Sequence, residues 1–205
     1  LMTALRDIHH VVVGGGKDLV CHWPRMGGIW RWGDEMLVGY IEAPCEYKDR
    51  QEVSHALDGI WPRAYMRLRR SLDGGLTWVD AGKVFDNSVS VEEQRRVLRL
   101  DDYHEHQGPP REPIDMSPDD SILIMGRAWC GDESTAPDGT AFRQQVSYCF
   151  RSPDRGRRWE QVPSIIRPEH TPKVHEMGNN YMKLGGSNLL CWMSGEERVE
   201  DASGA

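Results

Sequence analysis

Ser71-Leu72-Asp73-Gly74-Gly75-Leu76-Thr77-Trp78 is a polar turn closed by an aromatic and set between two segments with strand-like alternation. Each residue type suits a tight turn. Asp73 can accept hydrogen bonds from backbone N–H groups, Gly74 and Gly75 tolerate positive φ, and Trp78 can tuck against neighbouring sheets. A second copy, Ser152-Pro153-Asp154-Arg155-Gly156-Arg157-Arg158-Trp159, keeps Ser, Asp, Gly and Trp at the same spacing, with Arg158 in the place of Thr77. Two copies of one turn imply a repeat.

The 205 residues are enough for one large domain or two small ones, and the net charge of −7 argues against nucleic acid or an anionic membrane as the main partner. An anionic small ligand would need a local basic pocket. The five cysteines contain no C-x-x-C pair, so neither a zinc site nor a full disulfide framework is indicated, and buried free thiols are expected. Apolar runs are too short for a membrane span. Residues 1–18 lack a signal-peptide pattern. Together with the free thiols this leans towards the cytoplasm, although a chain that opens on Leu1 leaves room for a segment upstream.

Along the chain, Ile8 to Val13 reads as a strand ending at three glycines that lack the Gly-Lys-Ser/Thr of a phosphate loop. Strands follow up to Trp32, from Met36 to Ile41, from Ala64 to Arg70 and from Trp78 to Phe85. Pro44 to Pro62 is a long polar connection, the kind that carries sites. Ser90 to Leu100 fits a helix or a strand. Ile122 to Met125 and Gln144 to Phe150 lead into the second turn, and a third unit begins near His175 and Met182. The units run at about residues 19–90, 91–165 and 166–195, with a polar tail at 196–205. The turns begin at 71 and 152, and this 81-residue period exceeds the roughly 40–45 residues of a compact propeller blade, so each unit carries an extended loop.

The pattern S-x-D-x-G-x-T-W in the first turn resembles the Asp-box of sialidases and related β-propellers; Ser71, Asp73, Gly75 and Trp78 carry it, and Ser152, Asp154, Gly156 and Trp159 carry the second copy. The resemblance implies an all-β fold, a sialidase-type propeller of which about two and a half blades are present. Such a chain would be part of a longer protein. It also implies hydrolysis of a terminal sialic acid or related acidic sugar on a glycan; a non-catalytic carbohydrate-binding or scaffold propeller is the alternative. No cofactor or metal is implied: His104, His106, His170 and His175 read as solvated loop residues. Sialidases hold the substrate carboxylate with three arginines, use a tyrosine nucleophile activated by a glutamate, and use an aspartate as acid/base. Arginine suits the clamp because its planar fork binds a carboxylate bidentately. By position in the motif, Arg25 matches the first clamp, with Arg31 as alternative, and Asp58 matches the acid/base, with Asp49 second. Glu112 matches the activating glutamate, with Glu176 a weaker match, and Arg127 the second clamp. Arg111 stands where the family has asparagine. A third arginine and the nucleophilic tyrosine find no match before Ala205, and an unpaired sheet edge is expected to drive self-association.

Overall fold

The computed structural model describes residues 9–22, 27–45, 63–103, 108–135, 139–166, 173–175, 181–186, 188–191 and 194–196. Arg25, Asp49, Asp58 and Glu176 lie outside them.

The first sheet is built from β1 (Leu19–His22), β2 (Ile29–Trp32), β3 (Glu35–Pro44), β4 (Tyr65–Ser71) and β5 (Val79–Asp86). All its pairings are antiparallel. β1 and β2 share one edge of β3, with Cys21 opposite Glu42 and Trp30 opposite Leu37, so together they make one interrupted strand position. β4 and β5 continue the meander on the other side. The crossing near the interruption needs glycine: a Cβ on Gly27 would overlap the Gly39 backbone, and the Gly39 N–H donates to the Gly28 carbonyl at 2.9 Å.

The second sheet has the order β10 (Ser164–Ile166), β9 (Val146–Ser152), β6 (Ile122–Ala128), again antiparallel. Between β6 and β9 the chain forms a short hairpin of β7 (Glu133–Thr135) and β8 (Ala141–Arg143). The third unit contributes the pairs β11 (Lys173–His175) with β14 (Ser194–Glu196) and β12 (Tyr181–Gly185) with β13 (Asn188–Cys191). The architecture is thus dominated by open antiparallel sheets. No described helix is long and apolar enough to cross a membrane.

Strand alternation explains how the sheets stack. Leu37, Ile41, Met66 and Leu68 on one face of the first sheet form a single core with Ile122, Ile124, Ala128, Tyr148 and Phe150 of the second. Each fully buried Leu, Ile or Met there contributes about 1.5–3 kcal/mol. The opposite side of β6 presents Leu123 and Met125, which join Ile114 and Met116 in a second core covered by Tyr181, Leu189 and Cys191 of the third unit. The units therefore pack in chain order, face against face.

Two expectations change. Residues 9–13, read as a strand, join no ladder, and Val11 and Val12 are exposed; β-branched side chains favour a strand only where a neighbour and a buried face are available. The ambiguous stretch after Ser90 is helix α1 (Val91–Leu98). Ser90 caps it by accepting the Glu93 N–H at 3.2 Å, acidic residues occupy its first turn, and Arg99 ends it at φ 55°. Leu98 is buried in the first core, so an amphipathic face settles the choice.

Both repeat turns have the same internal hydrogen bonds. Ser71 Oγ donates to Asp73 Oδ1 at 2.8 Å and accepts the Gly75 N–H at 2.8 Å, while Ser152 Oγ donates to Asp154 Oδ1 at 2.9 Å and accepts the Gly156 N–H at 2.8 Å. Asp73 also accepts the Thr77 N–H at 2.9 Å and its hydroxyl at 2.6 Å; Asp154 accepts the backbone N–H groups of Arg157 and Arg158 at 3.1 and 2.8 Å. Trp78 folds back so that its indole N–H meets the Gly75 carbonyl at 2.9 Å, and Trp159 packs on the first core. Around the second turn, Glu35 accepts from Arg70, from Arg155 at 2.7 Å and from Arg157 at 2.6 Å, a clasp that ties the hairpin end of the first sheet to the second.

Candidate functional site

The face of the first sheet that points away from the second is polar. Its rungs follow from register: Cys21, Glu42, Tyr65 and Asp86 are cross-strand neighbours, then Tyr40, Arg67 and Lys83, then Val38, Arg69 and Asp80. Glu42 sits at the centre with only 2% of its surface exposed. Its Oε1 accepts the Tyr65 hydroxyl at 2.6 Å and Arg67 Nε at 3.2 Å, and its Oε2 accepts the Tyr40 hydroxyl at 3.2 Å. Arg67 also grips both oxygens of Asp80, at 3.1 and 3.0 Å. Arg69 donates to the Tyr40 hydroxyl at 3.4 Å and makes no ion pair with a described carboxylate. Lys83 Nζ stands 3.7 Å from the Tyr65 ring centroid and pairs with Asp86 at 2.7 Å.

Burial pushes the Glu42 carboxyl up, but the Tyr65 and Arg67 hydrogen bonds and the Arg67 charge outweigh it, so Glu42 stays below the usual glutamate range and ionised. Burial, then the bond to Glu42, raises Tyr65, which is a neutral phenol donating to a carboxylate. Burial and the Glu42 charge hold the Cys21 thiol at about 11, so it is no thiolate nucleophile. The arrangement is a hydroxyl hydrogen-bonded to a base beside two guanidinium groups. Such a set can transfer a proton from Tyr65 to Glu42 while Arg69 holds an anion.

The residues expected from the sequence are distributed otherwise. Glu112 pairs with Arg158 at 2.7 and 2.8 Å and its carbonyl accepts Arg151 Nη2 at 2.7 Å, which puts it beside the second repeat turn. Arg127 lies at the other end of β6, opposite Ser147, with its guanidinium 5.7 Å from the Trp129 ring centroid. Glu112 and Arg127, which the resemblance assigns to one site, therefore stand at different ends of β6. Residues 109–117 join no ladder, the Glu112 carbonyl is held by Arg151, which stands opposite Leu123, and the four residue steps from Leu123 to Arg127 span roughly 13 Å along β6. Arg31, the alternative clamp, is exposed and donates to the Gly33 carbonyl at 2.8 Å. Arg111 pairs with the buried Glu160, which also receives Arg151, making that trio a structural tie. The eight box residues are where turn chemistry requires them.

Strand alternation over Met36 to Ile41 and Ala64 to Arg70 does not by itself single out Glu42, Tyr65, Arg67 and Arg69. A signal existed: Tyr65, Arg67 and Arg69 occupy alternate positions opposite Met66 and Leu68, so one full strand face is ionic or phenolic. Glu42 also stands as the one charged residue between Met36 and Ala43 of β3. Among the described residues, no group of three or more His, Cys, Asp and Glu side chains is placed to hold a metal. The chain matches no family model, no characterised protein and no solved structure.

Proposed function

We propose that this chain is a sialidase-type Asp-box β-propeller unit whose polar sheet face hydrolyses a terminal sialic acid or similar acidic sugar from a glycan. The observation that carries the reading is the 2.6 Å hydrogen bond from Tyr65 to the buried Glu42 carboxylate with Arg67 and Arg69 alongside. Two alike turns at one end of successive stacked sheets support the propeller architecture.

In this reading the sugar carboxylate rests on Arg69, which has no carboxylate partner among the described residues and can bind it bidentately. Tyr65 Oη bonds to the anomeric carbon as the glycosidic C–O bond breaks, and its proton passes to Glu42 Oε1. A neutral phenol suits an anomeric centre that carries a carboxylate, because it brings no second negative charge. The leaving oxygen takes its proton from the acid that the family resemblance assigns to Asp58, with Arg25 as a further clamp. Water then attacks the anomeric carbon as the Tyr65–sugar bond breaks; Glu42 returns its proton to the phenol, and the water's proton passes to the carboxylate that the resemblance assigns to Asp58, left ionised by the first step.

A carbohydrate-binding module without turnover is the second reading, and the completeness of the Glu42 hydrogen-bonding shell favours it. Release of 4-methylumbelliferone from its α-sialoside separates the two. The hydrolase reading expects turnover by the wild type and a loss of at least about a thousandfold in kcat for Tyr65→Phe at unchanged melting temperature. Saturable sialoside binding without turnover establishes the binding module instead.

A further inference from the structure

At the other end of the first sheet, about 20 Å from Tyr65 along β4, the chain forms a cleft of about 330 Å³. Trp30, Arg31 and Trp32 of β2, Asp119, Ser121 and Ile122 before and at the start of β6, and Tyr181 and Lys183 of β12 line it. All three units meet here. The volume lies in the range of small-ligand sites, and the lining combines aromatic surfaces with a few convergent polar groups.

The hydrogen bonds already made determine what the cleft can still offer. Trp30 donates its indole N–H to the Tyr181 hydroxyl at 3.1 Å, and Trp32 donates its own to the Asp119 carbonyl at 3.0 Å. Both indoles have used their single donor, and the Arg155 guanidinium already lies 5.3 Å from the Trp32 ring centroid, so a ligand meets them as apolar, π-electron surface on the sides left open. Ser121 donates its hydroxyl to the Asp115 carbonyl at 2.6 Å, while the Tyr181 hydroxyl accepts from Trp30 and from the Leu123 N–H at 3.4 Å and keeps its own O–H for a ligand. Asp119 differs: it is exposed, and its carboxylate accepts no hydrogen bond from any described residue. Lys183 reaches the Pro118 carbonyl with one of its three donors.

We propose that this cleft is a second glycan site, separate from the Tyr65 face, that takes one neutral hexopyranose. The apolar C–H face of the ring stacks on Trp30 and Trp32, Asp119 accepts from two adjacent hydroxyls, and the remaining Lys183 donors meet a ring or hydroxyl oxygen. Asp119 beside the cations Arg31 and Lys183 offers both an acceptor and donors to the hydroxyls of a neutral ring, whereas the Tyr65 face is proposed for an acidic sugar, so the two ends of the molecule address different residues of a glycan.

The test is titration of the whole chain with methyl β-galactopyranoside, methyl β-glucopyranoside and methyl α-mannopyranoside, observed at the Trp30 and Trp32 indole N–H resonances. At least one glycoside is expected to shift both resonances saturably in the millimolar range. Asp119→Ala, an exposed position, is expected to weaken that binding at least about tenfold without changing the melting temperature, and Tyr65→Phe to leave it unchanged. Absence of saturable shifts with all three glycosides overturns the proposal. So does wild-type affinity in Asp119→Ala, or loss of binding in Tyr65→Phe.

Discussion

Asp73 is held well below its ordinary value of 3.8, at about 2, because the Thr77 hydroxyl and N–H and the Ser71 hydroxyl all donate to its anion. A lowered value means that the stability it contributes is complete above about pH 3.8 and is lost as the pH falls towards 2. Asp73→Asn should therefore lower the melting temperature at neutral pH and flatten its decline between those limits, which calorimetry across the acid range checks. Asp154→Ala should cost about 1–3 kcal/mol in urea unfolding by removing an acceptor shared by two backbone N–H groups and a hydroxyl. Neither substitution should alter sugar binding at Tyr65, since both turns stand at the far end of their sheets. These roles were legible in the sequence because turn chemistry is local. The partnership of Glu42 with Tyr65 was not, since it joins residues 23 apart through strand register.

Strands were legible where alternation was clean, as in β4 and β9, and less so where tertiary contact decides. α1 needed the cap at Ser90 and the buried Leu98 to settle it, and residues 9–13 have strand composition without a strand to pair with. Glu112 and Arg127 failed as a pair because sequence spacing does not show where a chain leaves its hairpin. Glu160 explains part of that path: it binds Arg111 at 2.8 and 3.0 Å and Arg151 at 2.7 Å, fixing the segment before β6 to β9. Glu160→Ala is expected to destabilise by about 3 kcal/mol in chemical denaturation, since two guanidinium groups lose their buried partner. Gly39→Ala should cost about 1–3 kcal/mol, because a methyl group there meets the Gly27 carbonyl oxygen at 2.6 Å and separates β3 from the chain crossing it.

At the scale of the molecule, each sheet covers the one before it, and the stack presents two unlike outer surfaces. One is the ionic face of Tyr40, Glu42, Tyr65, Arg67 and Arg69. The other is the outer side of the β12–β13 hairpin, where Met182, Leu184 and Leu190 are exposed while Tyr181, Leu189 and Cys191 face inward. An apolar sheet face beside open edges promotes association. The isolated chain should self-associate in a concentration-dependent manner, and light scattering should show less association after Met182→Lys with Leu184→Lys. A compact monomer at all concentrations counts against this. The central claim is that the ionic face is catalytic and Tyr65 its nucleophile. Incubation with a 3-fluorosialyl fluoride, which slows breakdown of a glycosyl–enzyme bond, followed by peptide mass spectrometry, tests it most directly. The account predicts one sugar adduct on the peptide containing Tyr65, absent in Tyr65→Phe; hydrolysis with an adduct at any other residue, or undiminished turnover by Tyr65→Phe, would contradict it.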